Sequence, residues 1–163
     1  MSPDNHRSRD HDEEIHSHEP NPDPPAGDAA ITVSGADATE VTLTPAQLQA
    51  LPAVATTGCH ITSTGHGRSG PFEFRGPALL ELARLCGVRD WTRVRVAAGD
   101  GFGALLKRPE VEAAAGNEPV LLALERDCQP LTRSQGFVRL IVPYETENAL
   151  KQVKWVRTIT FRR

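Results

Sequence analysis

The chain has 163 residues, of which 24% are charged and 39% hydrophobic, and a net charge of −3 at neutral pH. That length sets the expectation of one domain, and the longest aliphatic run, residues 120–124, is far too short for a bilayer span. Three cysteines, odd in number, far apart and without CxxC spacing, argue against a disulfide framework and a structural zinc site.

Residues 1–30 hold eight of the acids, two arginines, four of the six histidines and five of the thirteen prolines, with Ile15 as the only branched apolar side chain. Such a segment buries too little apolar surface to offset its ordering entropy, so a disordered tail is expected, with the domain in 31–163. The tail carries −6 and the rest +3. A mildly basic body suits a small anionic ligand and falls short of a nucleic-acid footprint. The tail histidines His6, His11, His16 and His18 read as solvated residues or loose metal ligands. No basic region followed by an apolar run opens the chain, so a cytoplasmic protein without a membrane span is expected.

In chain order, residues 31–33 and 41–43 are β-rich around a Gly35-Ala36-Asp37 turn and predict a strand pair. Thr44, Pro45 and Gln47 have the spacing of a capping box with proline at the first helical position, so 45–51 should be a helix stopped by Pro52. A strand over 53–57 would deliver Cys59 and His60 at its end. The glycine-rich STGHGRSG, residues 63–70, predicts a loop, followed by a short strand at 71–75. Leu79, Leu82, Ala83 and Cys86 recur at helical spacing before Gly87, which places Cys86 toward the core. Residues 92–98 and 102–106 read as a hairpin about Gly99-Asp100-Gly101, and 108–115 as a short polar helix. Strands are expected at 120–125, 137–143 and 152–161, with the exposed thiol of Cys128 in the turn 127–130.

Functional signals concentrate in 56–82, where Cys59, His60, His66 and Arg68 lie among glycines. Gly65, Gly67 and Gly70 fit GxGxxG by letter, but a strand rather than a helix follows, so a dinucleotide site is not expected. The loop amides with His66 and Arg68 could form an anion nest, or the glycines could serve turn geometry alone. Arg139 stands among apolar residues, where a guanidinium needs an anion or a structural ion pair. Lys154, by strand alternation, belongs on the solvent face.

Taken together, TPAQLQALP, a strand ending at a cysteine, FRGPALLELA, VRVAAGDGF, VLLALERDCQPL, GFVRLIVP and VKWVRTI, in this order, resemble the oxidoreductase molybdopterin-binding domain of the sulfite oxidase family over nearly all of 31–163. The resemblance implies an α+β fold of mixed sheets with a few short helices. It implies the molybdenum cofactor, with Cys59 as thiolate ligand to the metal, and oxygen-atom transfer or related two-electron chemistry on a small-molecule or anionic substrate. Arg139 and Lys154 would meet the pterin and its phosphate, and a redox partner protein would complete the cycle; His66 and Arg68, from this chain's own glycine-rich loop and not from the resemblance, are expected to add donors to the same ligand. The chain is much shorter than the full catalytic domain of that family, which keeps open an alternative: a non-catalytic module that retains the fold and holds a small anion or a protein partner.

Overall fold

The structure, a computed structural model, describes residues 30–36, 38–63, 67–144 and 152–163. The tail expected over 1–30 lies, apart from Ala30, outside the described residues, as does His66.

Strands β1 (Ile31–Gly35) and β2 (Ala38–Leu43) pair antiparallel, and the capping box forms as predicted. Thr44 Oγ1 accepts from Gln47 N at 3.2 Å and Gln47 Oε1 accepts from Thr44 N at 2.9 Å, starting α1 (Pro45–Ala50), whose Leu48 is buried. A long hairpin follows, β3 (Val54–Ser63) and β4 (Gly67–Gly76), then α2 (Leu79–Leu85). The second hairpin is β5 (Arg93–Ala98) with β6 (Gly103–Lys107), and α3 (Arg108–Ala115) leads to β7 (Leu121–Ala123). Short strands β8 (Glu125–Arg126), β9 (Gln129–Pro130) and β10 (Arg139–Ile141) precede β11 (Val156–Arg162).

These strands make three sheets, ordered β2-β1-β11-β5-β6, β3-β4-β8-β9 and β10-β7. The two-stranded sheet lies between two cores because a strand's side chains alternate between its faces. Leu122 and Leu140 join the larger core, with Ile31, Val94, Val96, Ile159 and Phe161 of the five-stranded sheet and Leu48, Leu79, Leu82 and Val111 of the helices. Leu121, Ala123 and Ile141 face the other way, into a smaller core with Cys59, Ile61 and Phe74 of the hairpin.

Four expectations need correction. Gly67 to Gly70 are strand, not loop, because the pairing of β3 with β4 continues to Ser63 opposite Gly67 and the ladder tolerates the glycines. The apolar run at 120–125 is divided at Leu124, its two parts joining different sheets. The strands expected at 137–143 and 152–161 are shortened because Phe137 and Trp155 both have φ of 53°, which breaks extended backbone. For the same reason Lys154 does not follow strand alternation to solvent; it is 3% exposed.

Candidate functional site

Cys59 lies inside β3, not at its end, and a bulge sets its direction. Thr56 is opposite Phe74 and Cys59 opposite Phe72, so three steps on β3 match two on β4. Gly58 takes the extra residue at φ 65°, a conformation that costs glycine little. Phe72 and Phe74 share a face of β4, so their partners Thr56 and Cys59 share the corresponding face of β3, although an odd spacing would normally separate them. Both are buried, at 0% and 6% exposure. Gly70, at φ 115°, then closes on this point: a Cβ there would stand 2.8 Å from the Cys59 carbonyl oxygen.

The β7–β10 pair supplies the second wall. Arg139 is two residues from Ile141 on β10, hence on the same face, toward the hairpin; it is paired in register with Ala123 and is 6% exposed. Its Nη1 donates to Gln135 O at 3.5 Å. The third wall is the segment before β11. Val153 enters the larger core, while Gln152, 4% exposed, turns to the hairpin and donates through Nε2 to His60 O at 3.5 Å. Lys154 Nζ lies 4.4 Å from the Trp155 ring centroid, and Trp155 is fixed by bonds from its N to Gly136 O (3.0 Å) and from its Nε1 to Arg133 O (2.7 Å). Cys59 and Arg139 thus face each other at the smaller core, with Gln152 reaching the hairpin beside them and Lys154 buried two residues further on against Trp155. The Arg68 side chain lies outside what is described, and its backbone pairs with Thr62.

Burial pushes the Cys59 thiol above its ordinary pKa, and the Glu118 carboxylate adds to this; the Arg139 charge and the Thr56 hydroxyl pull the other way. As a thiol, Cys59 donates to His60 O at 3.8 Å. Thr56 Oγ1 then has no hydrogen-bond partner among the described residues, nor does Gln152 Oε1. A sulfur stripped of its proton would give the threonine hydroxyl its missing acceptor, which is how Thr56 favours the thiolate. The consequence for stability follows by linkage. Below the thiol's unfolded pKa both states keep the proton; above it the unfolded chain releases the proton first, so stability falls as pH rises through the raised folded value. Denaturant titrations of the metal-free protein are expected to show a steeper loss above pH 9 than the same titrations of Cys59→Ala.

A profile of the oxidoreductase molybdopterin binding domain family matches residues 18–163. The chain belongs to that family. Among solved structures, the sulfane dehydrogenase SoxCD from Paracoccus pantotrophus is similar, with a TM-score of 0.66 at 20% identity, over 82% of this chain and 38% of that one. At that identity the likeness is one of fold, and the chain spans 38% of the length of that structure's chain. No curated protein matches the sequence significantly. Among the described residues no helix is long and apolar enough to cross a membrane.

The cofactor that goes with this family is molybdopterin, and the residues fit it. Cys59 offers one soft sulfur donor, suited to a soft, sulfur-ligated metal. Among the described residues no three His, Cys, Asp or Glu side chains converge on a common point, so a metal at Cys59 needs further donors from a bound cofactor, as a dithiolene would provide. Buried cations at Arg139 and Lys154 suit an anionic ligand, and the two buried polar oxygens without partners suit a polar one. Sequence reasoning missed Thr56 and Gln152. Thr56 carried a faint signal, a glycine between it and Cys59 that permits a bulge; Gln152 carried none, because its role depends on a contact 92 residues away.

Proposed function

We propose that this chain is a minimal molybdopterin-dependent oxidoreductase domain in which Cys59 provides the thiolate to molybdenum. The observation that carries this reading is the burial of Cys59 and Thr56 on one face of a bulged strand, opposite Arg139. Bound there, the cofactor would supply two-electron chemistry of the oxygen-atom-transfer kind to a small substrate.

The chain's own residues have separable tasks. Cys59 must lose its proton to bind metal, a step opposed by burial and Glu118 and assisted by Arg139 and Thr56. Arg139 and Lys154, held on rigid neighbours, offset the negative charge of the pterin phosphate, with His66 and Arg68 proposed as further donors. The bulge at Gly58 and the close approach of Gly70 fix the sulfur's position. A cavity of about 500 Å³, lined by Glu118, Asn117, Pro143 and Tyr144 among others, is the proposed route for substrate. Its Glu118 is the carboxylate felt by Cys59, and Pro143 and Tyr144 follow β10 after Val142.

Elemental analysis of protein made in a host able to synthesise the cofactor tests the reading. Close to one molybdenum per chain supports it, and metal-free protein from such a host defeats it in favour of the binding-module alternative. A sharper expectation concerns Thr56→Val. Replacing a buried hydroxyl that lacks a partner by a methyl should stabilise the metal-free protein by about 1 kcal/mol. The same change should lower molybdenum content when cofactor is limiting, because the hydroxyl that favours the thiolate is gone. Chemical denaturation and metal analysis on one preparation check both signs.

A further inference from the structure

The outer face of the five-stranded sheet carries a feature that the proposed oxidoreductase function leaves unused. Arg162 on β11 is in register with Arg93 on β5, and Arg93 with Lys107 on β6. Three exposed cations therefore stand directly opposite one another on neighbouring strands, an arrangement that is repulsive by itself. Nearby arginines have acidic partners: Arg163 pairs with Asp90 at 2.8 Å and Arg108 with Glu112 at 3.0 Å. Among the described residues no carboxylate pairs with Arg93, Lys107 or Arg162. Of the other outward positions in the sheet's centre, Arg95, opposite Thr160, donates to Gly101 O at 2.7 Å, and Thr32, Ser34, Thr158 and Thr160 bring hydroxyls.

We propose that the acidic stretch 10–14 of this chain, Asp10, Asp12, Glu13 and Glu14, docks on the row Arg162-Arg93-Lys107. Charge is complementary, since residues 1–30 carry −6 and the remainder +3. Reach is right as well. The parallel pairing of Thr32 with Thr158 puts Ala30 level with Val156, six residues along β11 from Arg162, or about 20 Å at strand rise. Sixteen peptide steps lead from Glu14 to Ala30, and a random coil of sixteen steps has a root-mean-square span of about 20–24 Å. Tethering at a span equal to the distance needed gives the highest effective concentration, so a weak electrostatic contact suffices.

Zero-length carbodiimide cross-linking of the full chain tests this, because Lys107 is an exposed amine in the row. Peptide mapping of the monomer band should find Lys107 joined to a carboxylate in 10–14. The yield should fall at least about fivefold in 0.5 M NaCl, where the screening length is only a few ångströms. It should fall similarly in Arg93→Gln/Arg162→Gln, which keeps Lys107 and substitutes only exposed side chains; a near-native circular dichroism spectrum is the check on folding. Three outcomes overturn the proposal: no such cross-link, a yield indifferent to salt and to the double substitution, or cross-links found only between two chains, which would make the occupant a second copy.

Discussion

Cys59→Ser protein, expressed alongside wild type in a cofactor-producing host, is expected to retain under a tenth of the wild-type molybdenum. Serine keeps the volume nearly constant, so the comparison isolates the donor atom. A thiolate is a soft ligand available once the thiol's raised pKa is overcome by metal binding. A serine hydroxyl is harder and far less acidic, and its hydrogen would be retained. The small core should survive, since Cys59 is one of seven buried residues there and Ile61, Phe74, Leu121 and Ile141 are untouched. Cys86→Ser and Cys128→Ser serve as controls. Cys86 packs at the end of α2 against the larger core, and Cys128 is exposed in a turn, so neither should change the metal content. Equal metal in wild type and Cys59→Ser would remove Cys59 from the ligand set.

The largest expected loss of stability comes from one methyl group at Gly76. A Cβ built there would stand 1.8 Å from Leu122 O and 2.9 Å from the carbonyl carbon, both backbone atoms that cannot rotate away. This is where β4 crosses β7. Leu122 N donates to Pro77 O and Leu124 N to Arg75 O, each at 2.9 Å, so the same few residues join the hairpin sheet to the central pair. Gly76→Ala must push the strands apart, losing hydrogen bonds of about 1 kcal/mol each and adding overpacking strain of about 1–3 kcal/mol. A loss of about 3–5 kcal/mol is expected from these terms, read as a shift in denaturant midpoint. Because Cys59 and Arg139 approach each other across this junction, metal content should fall with it. Gly116→Ala, with nothing within 4 Å of the added atom and φ of −78°, should be neutral or slightly stabilising. A Gly76→Ala midpoint as unaffected as that of Gly116→Ala would show that the two sheets are not locked at this point.

What the sequence determined by itself was whatever depends on neighbours in the chain. The Thr44 to Gln47 capping box, the helical spacing from Leu79 to Ala83, the hairpin about Asp100 and Gly101 and the apolar strand cores are local patterns with local causes. Cys59 and Arg139 were legible as candidates because a cysteine among glycines and an arginine among aliphatic residues are each unusual locally. Tertiary structure decided the rest. It divided one apolar run between two sheets, since a strand's partners are chosen by the fold and not by the run. It buried Lys154, because backbone turns at Phe137 and Trp155 are held by contacts between residues nearly twenty positions apart. And it brought Thr56 and Gln152 beside Cys59. A bulge reverses the facing of every residue beyond it, and whether a glycine makes one is settled only by the strand across the ladder, so sequence alternation could not see the site's innermost polar groups.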